Sequence, residues 1–187
     1  KSGGVPWNID MDDGQTTSKL TLSIPPSGTK FINSAGTGDL GVGYASLVAT
    51  APIEGRIVFE MFDDAGWSMT AAGVSASPLV NFFEIPIVYK ADVYDTGIAL
   101  YNANDSQVVV QLKVKEVDGD ILATSSITMQ PFEHLPKFSR QFFAAISALT
   151  EFQGSVEVTA SLPIGAVALK QAGLVLTTFE ITVPKQR

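Results

Sequence analysis

Nineteen carboxylates and one histidine are the reactive side chains of this 187-residue sequence, and it has no cysteine. Histidine can act as a base or a metal ligand, but only with partners. His134 has neither a cysteine nor a second histidine, so the zinc sets of structural and catalytic centres are excluded. It stands two residues before Pro136 in a turn-like stretch, where a structural role is expected. Asp10, Asp12 and Asp13, preceded by Asn8 and followed by Gly14, form the densest oxygen cluster. A calcium loop needs a glycine at its sixth place and a bidentate glutamate beyond, and neither follows in register. The cluster therefore reads as a solvated acidic hairpin turn, with Asp118 and Asp120 as its counterpart. No nucleophile, base and orienting group converge, so no catalytic residue, no metal ligand and no cofactor is expected. Aromatic side chains offer the alternative chemistry of sugar stacking: Trp67 and Tyr44, supported by Trp7, Tyr89, Tyr94 and Tyr101, are the candidate ligand-binding residues.

The elements carrying these residues read as strands. Leu20, Leu22 and Ile24 alternate with Thr21 and Ser23; Ala45, Leu47 and Ala49 repeat the pattern, followed by Ile57 and Phe59. Val108, Val110, Leu112 and Val114 alternate with Gln111, Lys113 and Lys115, and Val156, Val158 and Ala160 continue it. Period-two alternation broken by Asp13-Gly14, Pro25-Pro26-Ser27-Gly28, Asn104-Asp105-Ser106 and Asp118-Gly119 is the signature of antiparallel strands and turns. The exception is residues 140–152, where Phe142, Phe143, Ile146 and Leu149 fall at helical spacing and predict a short helix near 140–150.

The chain also repeats itself. Ala49-Thr50-Ala51-Pro52-Ile53 recurs as Ala160-Ser161-Leu162-Pro163-Ile164, Phe83-Glu84-Ile85 as Phe179-Glu180-Ile181, Leu20-Thr21-Leu22 as Ile127-Thr128-Met129, and Lys30-Phe31 as Lys137-Phe138. Ordered matches of this kind point to two copies of one unit. The expected architecture is all-β: two tandem antiparallel β-sandwich domains, residues 1–91 and 92–187. Leu22, Leu47, Ile57, Phe83, Leu100, Val110, Leu112, Val158, Leu169 and Phe179 are the expected core. Glu84 and Glu180 are equivalent, so a glycosidase-type carboxylate pair there would be two copies of half a site, and it is rejected.

Composition narrows the partners. A net charge of −7 with no run of basic residues argues against nucleic acid and anionic membranes. Charged residues make up only 17%, against about 25% in ordinary globular chains, while 45% are hydrophobic. Such a composition fits either an interface with a neighbour or a β-rich chain whose Val, Ile and Thr read as hydrophobic without being sticky. No segment reaches the ~20 apolar residues of a membrane helix, and no secretory leader is visible in a chain opening Lys1-Ser2-Gly3-Gly4.

Thr96-Gly97-Ile98-Ala99-Leu100-Tyr101-Asn102, Asp118-Gly119-Asp120, Phe152-Gln153-Gly154-Ser155-Val156 and Ser161-Leu162-Pro163-Ile164 together resemble the tandem immunoglobulin-like β-sandwich modules of bacterial secreted and cell-surface proteins. The resemblance covers nearly all of the second domain and, more loosely, the first from Leu20. It implies an extracellular location and no catalytic activity. The second domain opens with two strands, residues 97–102 and 107–117. The first has only residues 5–9 to match the second of these, so its first strand is missing. Val5, Trp7 and Ile9 then mark an edge open to a partner strand. Either an upstream segment or another subunit supplies that strand. The expected role is a non-catalytic structural or assembly module, a filament or stalk subunit joined by strand exchange with other copies or neighbouring modules. The alternative is a carbohydrate-binding or adhesion module of a larger secreted protein.

Overall fold

The computed structural model describes residues 2–37, 41–63 and 65–184. The strands in chain order are β1 (Ile9–Asp10), β2 (Thr16–Thr17), β3 (Arg56–Phe62), β4 (Ser68–Ser75), β5 (Val80–Lys90), β6 (Asp95–Tyr101), β7 (Val108–Glu116), β8 (Ile121–Met129), β9 (His134–Phe138), β10 (Glu151–Ala172) and β11 (Val175–Phe179). Two single helical turns, α1 (Ser139–Phe142) and α2 (Ala144–Ser147), precede β10. The all-β class holds, and every strand pair is antiparallel.

β10 organises the fold. Its first half pairs with β7 on one side and β5 on the other, from Glu151 to Thr159. Its second half pairs with β6 and β11, from Gly165 to Ala172. With β8 on β7 and β9 on β6, two four-stranded layers share one strand. The ladder to β5 slips between Thr159 and Ile164, around Pro163, which has no N–H to give. At that break the strand leaves one layer for the other, the usual way corners are made in stacked sheets.

Alternation explains the core. Val108, Val110, Leu112 and Val114 of β7 are buried, and so are Phe152, Val156, Val158, Ala160, Ile164, Ala166 and Ala168 of β10. They meet Phe83, Ile85 and Ile87 of β5, Ile98 and Leu100 of β6, and Met129. The expected helix is present as α1 and α2, broken at the extended Phe143. Phe143 and Ile146 are buried, plugging the core, whereas Leu149 stays exposed.

The fold gives the string Thr96 to Asn102 structural roles. Thr96 is fully buried, and its hydroxyl donates to the Val88 carbonyl and accepts from the Val88 N–H, both at 2.9 Å, stitching β6 to β5. Asn102 donates to the carbonyls of Ser106 and Gln130 and accepts from the backbone and side-chain N–H groups of Asn104, so its buried amide is satisfied. At Gly154 any Cβ would collide with the Lys115 carbonyl, so close strand approach demands glycine.

The first half differs from expectation. Among the described residues no strand lies between Thr17 and Arg56, so the alternating runs at 20–24 and 45–49 form no ladder. Leu22, Leu47 and Ile57, expected in the core, are exposed, whereas Phe83, Leu100, Val110, Leu112 and Val158 are buried and Leu169 and Phe179 half-buried. Alternation prepares a strand, but without a facing layer nothing buries its apolar row. Val80–Lys90, read from sequence as the last strand of residues 1–91, lies in the sheet of the second half.

Candidate functional site

The edge residues named from sequence lie apart from a long ladder. Val5 and Trp7 are outside any strand, and Ile9 belongs to the two-residue β1, whose partner is Thr17 in β2. Ahead of them, the Ser2 hydroxyl accepts from the His134 N–H at 3.0 Å and the Gly3 N–H donates to the Phe132 carbonyl at 2.9 Å, tying this end of the chain to β9. Trp7 packs on Gly41, where a Cβ would stand 2.6 Å from the indole.

The acidic turn is held by the chain's own donors. Thr16 donates to Asp10 at 2.6 Å, Asn33 to Asp12 at 2.9 Å, and the Gln15 N–H to Asp13 at 3.0 Å. Among the described residues no three acidic or imidazole groups are placed to hold one metal ion. Glu84 joins a cross-strand ion-pair ladder. Lys115 reaches Glu84 at 2.6 Å and Glu157 at 3.2 Å, and Lys113 reaches Glu157 at 2.9 Å. The hydrogen bond from Lys113 leads the effects that hold Glu157 below the usual carboxylate range, and the bond to Glu84 leads those that raise Lys115 above the usual amine range. These charges staple three strands.

The aromatic candidates are split. Tyr44 stacks on Tyr101 of β6 with ring centroids 3.9 Å apart, and His134 lies 6.2 Å from Tyr44. Burial first, and then the neighbouring Tyr44 phenol, push the Tyr101 phenol up to about 12. Burial likewise lowers the His134 imidazole. Lys170 covers the Tyr94 ring at 4.0 Å, and Tyr89 is buried in the core. Trp67 instead sits in the β3–β4 turn, 75% exposed, with its N–H bonded to Asp63.

What sequence reasoning missed is that turn's own hairpin. β3 and β4 form a separate two-stranded sheet from Arg56↔Ser75 to Phe62↔Ser68. β3 alternates Ile57, Phe59 and Met61 with Arg56, Val58, Glu60 and Phe62; Ile57 and Phe59 are about half exposed on one face, and Val58 and Phe62 more than half on the other. Among the described residues β3 pairs only with β4. The repeat contains the signal that could have found it. Ala160 to Ile164 leads into the stretch of β10 flanked by β11 and β6, and Ala49 to Ile53 leads into β3, flanked by β4 alone. The open edge of β3 is thus the counterpart of the edge that β6 covers. No helix among the described residues is long and apolar enough to cross a membrane. Comparison with family models, with curated proteins and with solved structures finds no match to this chain.

Proposed function

We propose that this chain is a non-catalytic structural module of a bacterial extracellular assembly, a filament or stalk subunit built of two immunoglobulin-like units, in which a neighbour's strand completes the first. One observation carries the reading: β3 has exposed apolar side chains on both faces and, among the described residues, a single partner strand, β4, which itself lies against β11. A lone two-stranded ribbon is marginal in water, and a third strand or a facing layer is what stabilises it. Main-chain hydrogen bonds to an added strand supply the third strand. Low charge and a sequence pattern resembling surface modules support the extracellular setting.

Size-exclusion chromatography with light scattering on residues 1–187 tests it. Self-association, or a hairpin whose amides exchange within seconds until a strand is added, is expected. A dilution-resistant monomer with one cooperative melt spanning both halves would end the reading. The second reading, glycan binding, rests on the exposed Trp67 ring. Glycan-array binding lost in Trp67→Ala would favour it, and a flat array would favour assembly.

A further inference from the structure

We infer that the open edge of β3 is a self-complementary interface that takes the β3 of a second copy, antiparallel and two-fold symmetric about Val58. This deepens strand addition as the mode of assembly and rests on it. The argument comes from register and charge. In an antiparallel pair centred on Val58, Arg56 stands opposite Glu60 of the second copy and Ile57 opposite Phe59, each twice by symmetry. Opposite charges meet, and so do apolar and aromatic side chains, the pairings that stabilise cross-strand neighbours. Shifting the centre to Phe59 would set Arg56 against Phe62, and shifting it to Ile57 would set Glu60 against Glu54, a like-charge pair. Only the Val58 register satisfies both charged groups of the strand. All four residues are exposed in the single chain. Pairing would join two two-stranded ribbons into one four-stranded sheet with Ile57, Phe59 and Met61 of both copies on one face, and that is enough strands to stand. A two-fold contact closes, so it joins two chains side by side, and filament growth would need a further edge.

The β6 strand of another copy fits less well. Carried over from the β10–β6 register, it would put Asp95 against Glu60.

Sedimentation of the full chain over about a thousandfold range of concentration tests the pairing. The wild type is expected to show a monomer–dimer equilibrium. Arg56→Glu and Glu60→Arg alone each place like charges opposite one another, and each weakens dimerisation by about tenfold or more. An equimolar mixture of the two variants restores both charge pairs and should recover wild-type affinity as a heterodimer. These are surface changes on the hairpin, and unchanged circular dichroism of the sandwich confirms that each variant folds. Wild type that stays monomeric, single variants that dimerise like wild type, or a mixture that fails to recover would each overturn the self-pairing. If the chain stays monomeric while a synthetic peptide of residues 95–104 slows exchange of the β3 amides, self-pairing falls and strand addition stands. If the β3 amides are protected in the dilute monomer, both fall.

Discussion

Two antiparallel ribbons in this molecule have nearly the same pattern and opposite fates. β7 alternates Val108, Val110, Leu112 and Val114 with polar positions, and all four are buried. β3 alternates Ile57, Phe59 and Met61 with Arg56 and Glu60, and its two largest side chains on that face stay about half exposed. The difference lies in the neighbours. β7 has β8 and β10 beside it and a second layer across from it, whereas β3 has one strand and no facing layer among the described residues. The stabilisation of apolar alternation therefore resides in the layer it meets, at about 25 cal/mol for each Å² removed from water.

The contrast is broken most strongly in the core. Leu112→Ala leaves a cavity between two layers and is expected to cost about 2–5 kcal/mol, whereas Ile57→Ala in the dilute chain should stay within about 0.5 kcal/mol. Denaturant melts of the two variants, compared at one low protein concentration, check this, and equal losses would erase the distinction.

A smaller effect is expected at the corner where the layers meet. Asn102→Ala removes one buried amide and leaves the Ser106 and Gln130 carbonyls, at the surface where water can replace the donor, at a total of about 1–3 kcal/mol. The same melts report it, and Asn102→Asp should not rescue, because it cannot donate to two carbonyls when ionised.

The smallest effect concerns the seam between the two regions. Tyr44→Ala removes the ring stacked on Tyr101 and should cost about 0.5–1.5 kcal/mol. Tyr101 has its folded pKa raised, so the stability it contributes is present below the ordinary phenol value of about 10 and is lost as pH rises through the folded value. Ultraviolet titration should show one tyrosine ionising near 12 in the wild type and nearer the ordinary value in Tyr44→Ala. An unmoved titration would show that burial by β6's other neighbours, and not Tyr44, sets it.

The second half was legible because its signals are local and agree. Valine alternation in β7, the Asp118-Gly119 turn, and helical spacing at Phe142, Phe143 and Ile146 each mark an element that a neighbour then buries. The runs at 20–24 and 45–49 have the same pattern without any ladder to join, and alternation alone cannot say whether a partner strand exists. The candidate edge read from alternation differs from the strand the fold leaves with one partner, for a related reason. Val5, Trp7 and Ile9 alternate, but only Ile9 lies in a strand, and the strand with a single partner among the described residues is Arg56–Phe62, whose counterpart in β10 is flanked on both sides. Of the two aromatic candidates, the Trp67 ring is exposed, while Tyr44 stacks on Tyr101, a contact between halves that no short motif encodes.

The shared strand has a consequence for the order of events during synthesis. β10 is the partner of β5, β7, β6 and β11, so before it leaves the ribosome the β1–β2, β3–β4, β7–β8 and β6–β9 ribbons can close but β5 cannot. At about 5–20 residues per second, the chain between Lys90 and Ala172 takes roughly four to sixteen seconds to appear. Through that interval Phe83, Ile85 and Ile87 have no strand to pair with. β5 thus waits for β10, made five strands later in the chain, and a holding factor that binds extended apolar segments has its longest opportunity there.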